Sequence, residues 1–88
     1  MNHLKIEQGD AHRARADEDT VSLVEYFWNS SLDGEYDDEY EEHGFWVVVF
    51  DVTDDDRREY PILSDVRRVH VWQGAEGSVQ HRFERRVH

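Results

Sequence analysis

The longest apolar stretch of the chain is Phe45-Trp46-Val47-Val48-Val49-Phe50, which continues through Asp51 to Val52. It is aromatic and β-branched throughout, and both alternating faces are apolar, so it predicts a strand covered on both sides. Asp54-Asp55-Asp56-Arg57-Arg58 ends this strand in a solvated loop, and Tyr60-Pro61-Ile62-Leu63 follows as an irregular stretch that packs down onto the core.

Val66–Trp72 and Val79–Val87 read as the two arms of a β-hairpin around Gly74-Ala75-Glu76-Gly77. A loop of three residues, Ala75 to Gly77, places Gly77 at the left-handed position that such loops favour. Gly74 then faces Ser78, Val71 faces His81, Val69 faces Phe83 and Arg67 faces Arg85. On the other side Trp72 lies opposite Gln80, His70 opposite Arg82 and Arg68 opposite Glu84. This register gathers Val69, Val71, Val79 and Phe83 on one face, and a slip of one residue would mix the faces.

The remaining segments are read from composition and end signals. Val21–Asn29 (VSLVEYFWN) is rich in strand formers, which favours a strand, although Ser22 and Glu25 stand at the spacing of a helical capping box. Asp33–Gly44 (DGEYDDEYEEHG) reads as a short helix, with an Asp cap, acids in its first turn, His43 near its end and Gly44 just beyond. Tyr36 and Tyr40 would then share a face. Leu4 and Ile6 suggest a short edge strand, and residues 9–19 are expected to be mobile. The fold class expected is α+β: a single small domain over residues 1–88, with a small antiparallel β-sheet, a C-terminal β-hairpin and one or two short helices.

Charge changes this picture more than composition does. The chain of 88 residues holds 21 acids and 10 Lys or Arg, for a formal charge of −11. Residues 1–56 carry 17 acids and 3 bases (−14), whereas residues 57–88 carry 4 acids and 7 bases (+3). Within Asp33–Glu42, seven of ten residues are acidic. As a helix this segment would set Asp33/Asp37/Glu41, Glu35/Glu39 and Asp38/Glu42 against one another, at about a few tenths of a kcal/mol per pair. A negative balance of this size argues against nucleic acid or an anionic membrane surface as the direct partner.

Other chemistry is poorly provided for. The chain has no cysteine, which removes disulfides, zinc–thiolate sites and thiol nucleophiles and favours a cytoplasmic setting. No apolar run is long enough for a membrane span. Neither Asp33–Glu39 nor Asp51–Asp56 has the spacing of a calcium loop, and His70 and His81 face opposite sides of the hairpin, so no metal site is expected. No nucleophile elbow, phosphate-binding glycine loop or Ser/His/Asp order is present, so neither catalytic residues nor a cofactor is expected.

Two surfaces stand out as interaction candidates. The first is acidic, comprising Asp33, Glu35, Asp37, Asp38, Glu39, Glu41 and Glu42 together with Asp54, Asp55 and Asp56. Carboxylates spaced along a surface can imitate a row of phosphates and engage Arg and Lys of a partner. The second is the outer hairpin face with Arg68, His70, Trp72 and Arg82, where a cation-flanked Trp could anchor a protein or meet an acidic face of a second copy. The alternative for Trp72 is packing beneath the Tyr60–Leu63 stretch.

In size and charge, through Asp33–Glu42 and Asp51–Asp56, the chain resembles the small acidic inhibitors encoded by phages and other mobile elements, the DNA mimics and anti-CRISPR proteins. The resemblance implies a non-enzymatic binding protein, monomeric or weakly dimeric. It would occlude a basic, nucleic-acid-binding surface of a target protein or complex. A second reading is salt adaptation. Nine of the ten bases are Arg, and Lys5 is the single lysine, as in a haloarchaeal-type structural or housekeeping domain whose acidity serves solubility.

Overall fold

The computed structural model describes residues 3–10 and 18–87, with residues 3–10 and Val87 described through their backbone. The chain is α+β. In order it forms β1 (His3–Asp10), α1 (Glu18–Leu32), β2 (Asp38–Glu42), β3 (Phe45–Asp51), α2 (Asp54–Glu59), a 3-10 turn (Pro61–Leu63), β4 (Val66–Gln73) and β5 (Val79–Val87). The strands make one five-stranded sheet in the order β1-β5-β4-β3-β2, with every neighbouring pair antiparallel.

The expected strand at Val21–Asn29 is instead the body of α1. Thr20, Leu23, Val24, Phe27 and Ser31 are its buried residues, the spacing of a helical stripe. Strand-forming side chains alone carry less weight than the sheet surface against which that stripe packs. Gly34 ends the helix at φ +82°, a left-handed conformation that costs glycine nothing. Its N–H donates to Ser31 O at 3.0 Å and the Glu35 N–H donates to Ser30 O at 3.0 Å, the paired bonds of a Schellman motif.

Asp33–Gly44 is likewise not a helix. It is an acidic turn followed by strand β2, which a two-residue connection joins to β3. His43 and Gly44 both have positive φ, +53° and +82°, as a type I′ hairpin turn requires. The strand relieves the repulsion a helix would impose, because Asp38, Tyr40 and Glu42 point to one face and Glu39 and Glu41 to the other. Opposite them stand the apolar residues Phe45 to Val49 rather than further acids. Tyr36 and Tyr40 therefore do not share a face. Tyr36 packs edge-on against Trp46 on the helical side, with ring centroids 5.7 Å apart, while Tyr40 meets His70 on the other side.

Asp54–Glu59, expected as loop, is helix α2. The Thr53 hydroxyl accepts the Asp56 N–H at 3.1 Å and the Asp56 carboxylate accepts the Thr53 N–H at 3.0 Å, a complete capping box. Three acids in the first turn and two arginines in the last suit the helix dipole. The Tyr60–Leu63 stretch packs down as expected, with Leu63 fully buried.

The C-terminal hairpin has the expected register from Gln73 to Arg68, with Val71 opposite His81 and Val69 opposite Phe83. Gly77 is left-handed at φ +87°. Beyond Arg68 a bulge intervenes, and Val66 rather than Arg67 faces Arg85. Without that extra residue Arg67 would be carried onto the face of Val69 and Val71; with it, Val66 is fully buried there and Arg67 is exposed.

Leu4 and Ile6 do belong to an edge strand, β1, which pairs with β5. Of residues 9–19, Gly9 and Asp10 extend this strand, Glu18 and Asp19 begin α1, and 11–17 lie outside the described residues. The core fills the space between α1 and the sheet, where the Phe27 and Phe50 rings lie 4.7 Å apart above Val48, Val69, Val71 and Phe83. Every residue from Val47 to Phe50 is buried, as a strand covered on both sides requires. Among the described residues no helix is long and apolar enough to cross a membrane.

Candidate protein-interaction surface

The ten acidic positions come from three local structures. The turn after α1 supplies Asp33, Glu35 and Asp37; strand β2, at one edge of the sheet, supplies Asp38, Glu39, Glu41 and Glu42; the first turn of α2 supplies Asp54, Asp55 and Asp56. Several carboxylates also hold the backbone. Asp37 Oδ2 accepts the Asp51 N–H at 2.8 Å, which ties the turn to the end of β3, and Asp38 Oδ1 accepts the Glu39 N–H at 2.8 Å.

The fold brings a subset of these together. Glu35, Asp37, Asp55 and Asp56 surround one open hollow of about 540 Å³ between α1, the end of β3 and α2. Asp51 also borders it, a residue that sequence reasoning placed in the Asp51–Asp56 acidic segment but not among the ten surface positions; its carboxylate turns to Arg68. Tyr26, Phe27, Tyr36 and Phe50 also line the hollow, and among the described residues no Lys or Arg does. The capping sequence Thr53-Asp54-Asp55-Asp56 could have indicated that Asp55 and Asp56 sit on a helical turn. The remaining acids do not join this hollow. Asp54 pairs with Arg57 at 3.1 Å, Glu39 and Glu41 run along the exposed edge, and Asp33 lies on the surface of the turn.

Glu42 has a different role. It reaches the opposite face of the sheet and receives both Arg82 terminal nitrogens, at 3.2 and 3.3 Å, a bidentate pairing. The hydrogen bond from Arg82 holds the Glu42 carboxyl below the usual carboxylate range, and the same bond holds the Arg82 guanidinium above its usual range.

The second predicted face is real as a face, since Arg68, His70, Trp72 and Arg82 all lie on the side of the sheet away from α1. Each of the three cationic or titratable members is engaged by the protein's own groups. Arg68 bonds to Asp51 at 3.2 Å, the Arg82 guanidinium also sits 5.4 Å over the Trp72 ring, and His70 bridges two partners. His70 Nε2 lies 2.7 Å from Glu84 and Nδ1 lies 2.9 Å from the Tyr40 hydroxyl.

The donors and acceptors on this face form one consistent chain. Arg82 donates to the Tyr40 oxygen at 3.4 Å, the Tyr40 O–H donates to Nδ1, and Nε2–H donates to the carboxylate, which can only accept. Burial raises the Tyr40 phenol against the opposing charge of Arg82, with Glu42 and Glu84 adding to the rise, so the ring stays a neutral donor. Glu84, which sequence reasoning passed over, is the buried end of this chain. Trp72 does not pack under Tyr60–Leu63: that segment lies on the helical side, and Trp72 borders Phe45 and Val47 on the other.

His70 and His81 face opposite sides of the sheet, and among the described residues no three His, Asp or Glu side chains converge as a metal-ligand set. No family model matches this chain, and no curated protein or solved structure matches it either.

Proposed function

We propose that this is a non-enzymatic, stoichiometric binding protein that occludes a basic, nucleic-acid-binding surface of a target protein or complex, in the manner of a DNA mimic. The observation that carries this reading is the convergence of Glu35, Asp37, Asp55 and Asp56 on one hollow that no Lys or Arg among the described residues lines, continuous with an acidic edge strand. Such an array attracts arginine and lysine over a distance and rewards them with charge-assisted contacts on docking. Among the hairpin arginines, Arg82 and Arg85 are engaged by Glu42 and Asp65 away from the hollow, and Arg68 meets Asp51 on the outer face.

The test is capture from the source cell at low and high salt, followed by competition. A captured protein that binds nucleic acid and is displaced by it supports occlusion; captured proteins that nucleic acid does not displace overturn it. Combining Asp33→Asn, Asp38→Asn and Glu41→Gln removes three exposed charges from the turn and edge while sparing the hollow. It is expected to weaken that binding by about tenfold to a hundredfold at low salt and to flatten its salt dependence.

The competing reading, a salt-adapted structural domain, rests on arginine standing at nine of the ten basic positions. Thermal melting against potassium chloride separates the two. A cooperative melt at ordinary ionic strength is expected here, whereas folding only in molar salt would favour salt adaptation.

A further inference from the structure

The hollow between α1 and α2 combines charge with aromatic surface. Phe27 and Phe50, almost fully buried, contribute its apolar base, and Tyr26 and Tyr36 stand at its sides, with Tyr26 51% exposed. Around it, Asp55 is paired with Arg58 and Asp51 with Arg68, but among the described residues no Lys or Arg pairs with Glu35, Asp37 or Asp56. A second hollow of about 310 Å³ shares Tyr26, Asp55 and Asp56 with the first and adds Tyr60 and Glu59. Burial, reinforced by the charge of Glu59, raises the Tyr60 phenol, and its hydrogen bond with Glu39 raises that of Tyr36, so both rings stay neutral.

We infer that this hollow receives an arginine side chain of the partner, with the guanidinium against the face of Tyr26 or Tyr36 and its N–H groups on Glu35, Asp37 and Asp56. Charge complementarity selects a cation. The ring faces select among cations, because a guanidinium is planar, weakly hydrated and stacks on aromatic rings while presenting its donors in a fork to carboxylates. An ammonium, compact and strongly hydrated, gains less from the same walls. The arginine site deepens the proposed function, since it assigns the chemistry by which a basic surface would be held.

The test titrates isotopically labelled full-length protein with acetyl-Gly-Arg-Gly-amide and follows backbone amide NMR signals. Two further peptides carry lysine or neutral citrulline in place of arginine. Saturable shifts confined to the amides around Tyr26, Tyr36 and Thr53–Asp56 are expected, with arginine bound several-fold more tightly than lysine and about tenfold more tightly than citrulline. Tyr26→Ala, at an exposed ring whose loss leaves the core intact, is expected to weaken arginine binding about threefold. Glu35→Gln provides a second variant, whose side chain lies outside the core and makes no capping bond; the Glu35 N–H that caps α1 is backbone and is kept. Shifts spread evenly over the acidic surface, equal binding of the arginine and lysine or citrulline peptides, or indifference to both variants would overturn the assignment. These readouts need no partner. The arginine site can therefore stand while competition by nucleic acid fails, or fall while it succeeds.

Discussion

Phe83→Ala is expected to remove about 3–5 kcal/mol of stability and to leave a large fraction of the chain unfolded without denaturant. Phe83 lies mid-way along β5, opposite Val69 and 1% exposed, with the His81 ring 4.8 Å from its own and the Arg85 guanidinium 5.4 Å from its face. A domain of this length has about 4–13 kcal/mol in total, so one such cavity consumes much of it. The sheet around Phe83 is pinned by hydrogen bonds on both sides, to β1 and to β4, and cannot collapse into the space. Phe83→Leu retains most of the volume and should cost less than about 1.5 kcal/mol. Urea denaturation followed by tryptophan fluorescence reads both; equal losses for the two variants would remove Phe83 from the centre of the core.

The second large effect is expected on the opposite face of the sheet. His70→Leu leaves Glu84, 8% exposed, without its 2.7 Å partner, and the nearest remaining cation, Arg68, is 3.9 Å away. Stranding a buried carboxylate costs several kcal/mol, and with Arg68 in partial compensation a loss of about 2–3 kcal/mol is expected. Replacing both members, His70→Leu with Glu84→Leu, removes the uncompensated charge and should recover at least half of that loss, because a buried pair is worth little more than the apolar contacts that replace it. Arg68 keeps Asp51 and the Tyr40 oxygen keeps the Arg82 donor in the double variant; the Tyr40 O–H loses its Nδ1 acceptor, but Tyr40 is only half-buried and water can take that bond. If the double variant were as unstable as the sum of the singles, the network would be holding the sheet in some way other than through His70 and Glu84.

That network explains how the outer face of the sheet can lack a covering helix among the described elements and still bury Val47 and Val49. Tyr40 stands opposite Val47 and His70 opposite Val49, so their rings flank valines that alternation alone would leave exposed. The same arrangement withdraws Arg68 and Arg82 from outside partners, which concentrates the available charge of the molecule in its carboxylates.

Where sequence and fold agree, the deciding information is local. The hairpin around Ala75–Gly77 has a glycine where a left-handed residue is needed and valines at alternate positions, so its register could be read from residue spacing. Val47–Phe50 is apolar on both faces and is buried on both. The errors fall where local preference and tertiary context disagree. Val21–Asn29 has strand-forming residues but a helical stripe from Thr20 to Ser31, and the stripe prevails because it alone presents a continuous apolar face to the sheet. Asp33–Gly44 carries helix end signals, yet His43-Gly44 closes a tight hairpin onto an apolar strand, whose pairing energy a lone acidic helix cannot match.

The candidate site divides in the same way. The amino-acid sequence by itself determined how much negative charge the protein carries and where along the chain it lies, because ionisation belongs to each side chain. Only the tertiary structure decided which carboxylates act together. The β2–β3 hairpin and the Asp37–Asp51 bond carry Glu35 and Asp37 to Asp55 and Asp56 across the end of β3, around the rings of Tyr26 and Tyr36. The same pairing sends Glu42 to Arg82 on the other face, since neighbouring residues of a strand point to opposite sides.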